Sequence, residues 1–327
     1  MERPKILATR LFYPAARSVL EKAGEVDYWT GAEEMPRAEL LKRVADKDAL
    51  VCVLTEKVDA ELLAAAPKLR IAATVSVGYD NIDVAACTAK KVIATNTPGV
   101  LDDTTADLAW ALMLAIARRL VEGDALVRTG QWPGFAIDQL LGGDVYGKTL
   151  GIIGFGRIGQ CVARRALGFQ MRVIYSGSRR VANEVEKELN ASFVSQDELF
   201  READFVSLHV PLTPATRHLI SGENLDKMKR TAFLVNTSRG PVVDEEALAE
   251  ALESKKIAGA ALDVFEHEPK IHPKLLARRD VILTPHIGSA TVETRTRMMV
   301  VAANGVAEFL AGQTPANALN KDAVGSR

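Results

Sequence analysis

Short apolar runs alternate with stretches whose apolar residues recur at helical spacing along most of this chain. In its first hundred residues the strand-like runs are Ile6 to Thr9, Ala49 to Leu54, Arg70 to Ser76 and Val92 to Thr95. Helices are predicted from Pro14 to Ala23, stopped by Gly24, and near Pro36 to Ala45, with Pro at the start and Gly past the end as helices prefer. Such alternation implies a parallel sheet covered by helices on both faces. The turn residues Thr95-Asn96-Thr97-Pro98-Gly99 interrupt the rhythm, and a long helix is predicted from about Asp102 to Val127, closed by Gly130. A domain boundary is placed at that interruption.

A second series begins at Thr149. Its predicted strands are Thr149 to Ile153, Arg172 to Ser176, Phe205 to His209, Ala232 to Asn236, Ala260 to Asp263 and Val281 to Thr284, six strands that fit one doubly wound domain. After Ser289, the residues Met299, Ala302, Val306 and Phe309 share a helical face that ends at Gly312, and the polar tail beyond is too short for a regulatory domain.

Composition narrows the class. With 327 residues, 48% of them apolar, and 41 basic against 42 acidic residues, the chain has the profile of a soluble globular protein of about two domains. A net charge of −1 supplies no basic field for nucleic acid or an anionic membrane, so neither is an expected partner. The longest apolar run, Leu108 to Ala117, is far shorter than the ~20 residues that span a bilayer, and Met-Glu-Arg-Pro-Lys at the start leaves no room for a signal peptide. Cys52, Cys87 and Cys161 are scattered in apolar surroundings and read as buried thiols of a reducing compartment. A cytoplasmic protein is expected.

Candidate chemistry begins at Gly154-Phe155-Gly156-Arg157-Ile158-Gly159, which follows a buried strand and opens a helix, the setting that a dinucleotide fingerprint requires. Gly154 allows the tight turn, Gly156 lets a pyrophosphate approach, and Gly159 lets helix and strand pack closely, while the amides of Arg157 and Ile158 at the helix start would bind the anion. The next strand ends not in Asp or Glu but in Ser176-Gly177-Ser178-Arg179-Arg180. With no carboxylate to repel a 2′-phosphate, and Ser178, Arg179 and Arg180 to bind it, NADP(H) is favoured and NAD(H) is accepted with lower preference. A solvated basic turn is the other reading of Arg179 and Arg180.

Ligands of open parallel sheets lie beyond the carboxyl ends of the strands. Three late strands deliver Thr237-Ser238-Arg239-Gly240-Pro241, Val264-Phe265-Glu266-His267-Glu268-Pro269 and Pro285-His286-Ile287-Gly288-Ser289 to one edge. Arg239 offers a fork of donors matched to a carboxylate and able to polarise a ketone. His286 would supply a proton, and Glu268 would orient it and favour its charged form, with Glu266 as the competing acid. His209, His218, His267 and His272 are read as structural or exposed, and no metal ligand set is expected.

Taken together, Val75-Ser76-Val77-Gly78-Tyr79-Asp80-Asn81-Ile82-Asp83, the fingerprint from Gly154, Asn236-Thr237-Ser238-Arg239-Gly240, Leu262-Asp263-Val264-Phe265 with Glu268-Pro269, and Pro285-His286-Ile287-Gly288-Ser289 resemble the D-2-hydroxyacid dehydrogenases, the glyoxylate/hydroxypyruvate reductases above all. The resemblance runs nearly end to end. It implies an α/β protein of two doubly wound parallel-sheet domains: a Rossmann nucleotide-binding domain (100–287) and a smaller flavodoxin-like substrate domain (1–99 with 288–327) that closes on it, paired as a homodimer. It implies Arg239, Glu268 and His286 as the catalytic residues. Val77 and Gly78 would meet the substrate carboxylate beside Leu54. Asp263 and the Thr237 carbonyl would hold the nicotinamide amide, with Thr104 and Gly288 nearby, and Pro211 and Thr216 would lie near the adenosine half.

The expected function is NADPH-dependent reduction of small 2-oxo acids such as glyoxylate and hydroxypyruvate. Phosphite oxidation, another D-2-hydroxyacid dehydrogenase activity, and a nucleotide-sensing, corepressor-like binding role are the alternatives. The aromatics of Gly130-Gln131-Trp132-Pro133-Gly134-Phe135 read either as a dimer arm or as core.

Overall fold

Apolar runs too short to be helices and bounded by turn residues become strands, and all of them pair in parallel. The structure is a computed structural model that describes residues 3–324 and divides into two units, Met1–Leu101 with Ala290–Arg327, and Asp102–Ser289.

In the first unit β1 (Lys5–Ala8), β2 (Glu25–Tyr28), β3 (Ala49–Cys52), β4 (Ile71–Thr74) and β5 (Ile93–Thr95) form one sheet in the order β2-β1-β3-β4-β5, the flavodoxin-like order. Leu7, Leu50, Cys52, Ala72 and Ala94 are fully buried and pack with Leu40, Val44 and Leu62 from the covering helices. Strand β2 was not expected. It lies at the sheet edge with no buried residue, so its sequence Glu-Val-Asp-Tyr carries no apolar run to announce it. The helix Pro14–Ala23 packs against Val292–Leu310. The buried stripe of Val292–Leu310 runs through Met298, Ala302, Val306 and Phe309, so Met298 and not Met299 is the core methionine, with Met299 at the flank.

The second unit holds seven strands, one more than expected: β6 (Thr149–Ile153), β7 (Arg172–Ser176), β8 (Ala191–Phe193), β9 (Phe205–Leu208), β10 (Phe233–Asn236), β11 (Gly259–Leu262) and β12 (Val281–Leu283). The unexpected β8 is a three-residue edge strand with one buried position. The order β12-β11-β10-β9-β6-β7-β8 reverses direction between β6 and β9, which opens a crevice at their carboxyl ends. Consecutive residues serve opposite faces, as the period of two demands. Ile174, Val206 and Leu234 pack with Leu199 and Phe200, whereas Val173, Phe205 and Val235 pack with Trp110 and Val162.

The long helix expected from Asp102 to Val127 is two helices, Asp102–Ala117 and Leu120–Arg128, broken where Arg119 adopts φ +52°. The first is buried along one side. The second has no buried residue, and the Gly143 amide takes the Ala117 carbonyl (2.8 Å) that a continuing helix would have used. Cys52 and Cys87 are buried as expected, but Cys161 is only part-buried. Among the described residues no helix is long and apolar enough to cross a membrane.

Candidate active site

Strand β6 runs into the glycine turn at the crevice. Gly154 has φ +92°, and a Cβ there would stand 2.4 Å from the His209 carbonyl oxygen; a Cβ on Gly159 would stand 2.3 Å from the Gly154 carbonyl. Both glycines are dictated by the protein's own packing. Gly156 is not: a Cβ there would meet no protein atom within 4 Å. The helix Arg157–Ala166 begins at Gly156 without a side-chain cap, so no capping side chain takes its first amides, those of Arg157 and Ile158 among them. A cradle that a Cβ would fill, at an uncapped helix start, fits a dinucleotide pyrophosphate.

After β7, residues 177–180 are exposed and contain no carboxylate. Of the two arginines expected to face a 2′-phosphate, Arg179 makes no ion pair with any described residue, whereas Arg180 is held by Glu186, Nε to Oε1 at 2.9 Å and Nη2 to Oε2 at 2.7 Å. After β9, the Thr216 hydroxyl donates to the Pro211 carbonyl (2.6 Å) and accepts the Thr213 amide (2.8 Å), so it knits its own loop. His209 hydrogen-bonds Ser207 Oγ through Nε2 (2.8 Å), and burial pushes its imidazole down to about 4, which keeps it neutral.

The three late loops converge on one site. Asn236, fully buried at the end of β10, accepts the Ser238 amide (3.0 Å) and hydroxyl (2.8 Å) and donates to the Arg239 carbonyl (3.0 Å). These bonds set the turn that presents Arg239, whose Nη1 donates to the Ser238 carbonyl (2.9 Å). A Cβ on Gly240 would overlap the Phe265 carbonyl at 1.8 Å, so this turn lies directly on the loop that follows β11. That loop carries Glu268. Its Oε1 accepts the Phe265 amide (3.0 Å) and its Oε2 pairs with His286 Nδ1 at 2.9 Å. Burial works to raise the Glu268 carboxyl, but the His286 bond and charge, the Phe265 amide and the Arg239 charge carry it below the ordinary range. Glu266, the competing acid, instead meets His218 at 2.6 Å.

His286 sits at φ +53° in a loop fastened by Asp263. The Asp263 carboxylate, 1% exposed, accepts the Thr284 hydroxyl (2.6 Å) and the Ile287 and Gly288 amides (2.8 Å each), and its carbonyl takes the His286 amide (2.9 Å). Burial raises the Asp263 carboxyl above its usual range against those bonds. Two residues expected as cofactor contacts, Asp263 and Gly288, are thus joined to each other within the histidine loop. Thr237 is buried, and its hydroxyl has no hydrogen-bond partner among the described residues; Thr104 is part-buried on the helix Asp102–Ala117. His272 pairs with Glu246 (2.9 Å), and no cluster that could hold a metal occurs among the described residues.

In the first unit, Leu54, Val77 and Gly78 follow the carboxyl ends of β3 and β4. The Val77 carbonyl takes Asn96 Nδ2 (2.7 Å) and the Gly78 carbonyl takes the Ser76 hydroxyl (2.6 Å), which fixes that turn. Two residues that the sequence reading missed hold the Leu54 turn. Glu56, 4% exposed, accepts the Val53 amide (2.9 Å) and the Thr9 hydroxyl (2.8 Å), and Asn81 donates to the Val53 and Glu56 carbonyls (3.1 and 3.0 Å). Asn81 stood in a quoted motif; Glu56 gave no signal beyond an acid following a strand.

Residues 110–288 match the family described as D-isomer specific 2-hydroxyacid dehydrogenase, NAD binding domain. The chain is 50% identical over 326 residues to a glyoxylate reductase of Thermococcus kodakarensis, covering 98% of each. Among solved structures, a protein of Thermus thermophilus is 44% identical with a TM-score of 0.90, covering 96% of this chain and 99% of that one. An NADPH-dependent glyoxylate/hydroxypyruvate reductase of Sinorhizobium meliloti is 29% identical with a TM-score of 0.86, covering 98% of each. With its glycine turn, its parallel sheets and a histidine backed by a carboxylate, the chain belongs to the D-2-hydroxyacid dehydrogenases, and it resembles the glyoxylate reductases among them.

Proposed function

We propose that the protein reduces glyoxylate and hydroxypyruvate with NADPH, using NAD(H) less well. The observation that carries this reading is the 2.9 Å pair of His286 Nδ1 with Glu268, in the same group of loops as Arg239. When bound, the reduced nicotinamide supplies the hydride. Arg239 holds the substrate carboxylate and polarises the ketone, a role suited to its planar fork. Because Nδ1 of His286 is occupied by Glu268, Nε2 is the nitrogen that delivers a proton to the carbonyl oxygen. Glu268 orients the ring and stabilises its charged form. Val77 and Gly78 amides would share the carboxylate, and Leu54 would border the C3 group.

The coenzyme would be held by Gly154, Gly156, Arg157, Ile158 and Gly159 at the pyrophosphate and by Ser178, Arg179 and Arg180 at the 2′-phosphate. Pro211 and Thr216 would lie by the adenosine half, and Thr237, Asp263, Gly288 and Thr104 around the nicotinamide. The Sinorhizobium enzyme, whose solved complex holds NADP and malonate, supports this reading by its overall likeness. The exposed Trp132, Phe135, Ile137 and Leu141 would form the interface of a homodimer. The free cysteines suit a reducing cytoplasm.

The test is a steady-state panel of glyoxylate, hydroxypyruvate and pyruvate with NADPH and with NADH, and of phosphite with NADP+ and with NAD+. The reading predicts the highest kcat/KM for glyoxylate or hydroxypyruvate with NADPH. Turnover of phosphite, or tight coenzyme binding with negligible turnover of any substrate, would replace it with the corresponding alternative.

A further inference from the structure

The loop after β7 contains a relay that the catalytic account leaves unused. The Glu186 carboxylate, 8% exposed on the helix Asn183–Glu188, takes Arg180 at two points, at 2.9 and 2.7 Å. Its Oε1 also accepts the Tyr175 hydroxyl at 2.7 Å, and that hydroxyl in turn accepts the Val181 amide at 3.0 Å. Tyr175 is fully buried and stacks on Phe155, inside the glycine turn, with ring centroids 4.0 Å apart. The strand, the glycine turn and the arginine loop therefore share one anchor. The Arg180 bond and then the Tyr175 bond hold the Glu186 carboxyl down to about 2, so the pair stays charged throughout the neutral range.

A guanidinium has five N–H donors. Pairing through Nε and one Nη2 hydrogen leaves the end-on edge, one Nη1 hydrogen beside the other Nη2 hydrogen, on a side chain that is 60% exposed, while the second Nη1 hydrogen points back toward Cδ. That edge has the bidentate geometry that a phosphate accepts. An unanchored arginine would lose much of its rotamer freedom on binding the phosphate; one already pinned by a carboxylate loses less.

We propose that Glu186 is a specificity-determining positioning residue: it holds Arg180 side-on so that the outer guanidinium edge meets the coenzyme's 2′-phosphate, with Arg179 as the second cation. This inference rests on the NADPH reading. Of the partners of Glu186 only Arg180 is a cation that could meet the 2′-phosphate, whereas the Tyr175–Phe155 stack borders the glycine turn common to both coenzymes, so loss of the Glu186 charge raises KM for NADPH more than for NADH.

The experiment measures KM for NADPH and NADH in wild type, Glu186→Gln, Arg180→Ala and the double variant, with thermal unfolding of each. Loss of a two-point charged pair predicts that Glu186→Gln raises the ratio KM(NADPH)/KM(NADH) about tenfold. In the Arg180→Ala background the same substitution should change that ratio by less than about twofold, because the partner it positions is gone. Should the Gln variant fail to fold, Glu186→Asp, whose shorter arm reaches one nitrogen, should give a smaller rise in the same direction. The proposal is overturned if Glu186→Gln lowers the ratio, leaves it unchanged, raises both KM values equally, or acts in full on top of Arg180→Ala. The parent reading fails separately, in wild type alone, if NADH is used as well as NADPH.

Discussion

Glu268→Gln removes a charge while keeping the shape of the side chain. In the protein Glu268 Oε1 accepts the Phe265 amide and Oε2 pairs with His286 Nδ1, each near 3 Å. A carboxamide has one oxygen, so one of these partners must face an N–H instead. If the Phe265 bond survives, Nδ1 becomes an acceptor and the imidazolium loses its counter-charge. A hydrogen bond to a charged group contributes ~1.5–3 kcal/mol when shielded. Here the side chains are 29% and 33% exposed, so solvent screening places the loss at the lower end, ~1.5–2 kcal/mol. That corresponds to a fall of about ten- to thirtyfold in kcat/KM for glyoxylate reduction. The carboxyl is held below its usual range, against its burial, by the His286 bond and charge, the Phe265 amide and the Arg239 charge. Initial rates of NADPH consumption in wild type and variant measure the fall. Rates within about threefold of wild type would refute the idea that Glu268 backs the proton donor.

Gly156→Ala should leave the unfolding temperature within about 2 °C of wild type, since its methyl meets no protein atom, yet weaken coenzyme binding by at least about tenfold in a fluorescence titration. Asp263→Asn sets an NH2 against donors in a buried site, so calorimetry should show a loss of ~2–3 kcal/mol with a fall in kcat as the His286 loop loosens. His209 titrates near 4 when folded but near ~6.5 when unfolded, so the unfolded chain binds the extra proton between those values. Its stabilisation, about 3 kcal/mol at the ~1.36 kcal/mol of each pKa unit, is complete above pH ~6.5 and lost on acidification toward 4, and His209→Gln should flatten that part of the stability–pH curve. If the proposed homodimer pairs through Phe135 and Ile137, both more than four-fifths exposed, wild type should sediment as a dimer and Phe135→Asp with Ile137→Asp as a monomer; a wild-type monomer would refute that interface.

Sequence periodicity was most informative where burial is strongest. Strands with fully buried runs, such as Ala49–Cys52 and Phe205–Leu208, were legible because apolar continuity has no other use at that length. The edge strands Glu25–Tyr28 and Ala191–Phe193 were not, because half-solvated backbone pairing asks little of side chains. The break at Arg119 was hidden for a different reason: Leu120–Arg128 has good helical spacing, but its apolar side chains face solvent in this chain. At the site, Arg239, Glu268 and His286 were visible as polar residues following strands, and the family resemblance favoured Glu268 over Glu266; what the coordinates add is that Glu268 pairs with His286 while Glu266 meets His218. Glu186 was missed because its partner Arg180 lies across a loop-to-helix junction, where neither helical nor strand spacing pairs them. Asp263 was seen as a coenzyme contact, but its bonds to Thr284, Ile287 and Gly288 arise from the adjacency of β11 and β12, which no local pattern encodes.

The central claim concerns which atoms meet the substrate, and a crystal structure of the protein with NADP and oxamate, a non-reducible isostere of a 2-oxo acid, addresses it most directly. The account predicts the oxamate carboxylate on the Arg239 guanidinium and its ketone-like oxygen within ~2.6–3.2 Å of His286 Nε2, with Glu268 still on Nδ1. An oxamate carbonyl bound away from His286, with that imidazole turned from the coenzyme, would contradict it.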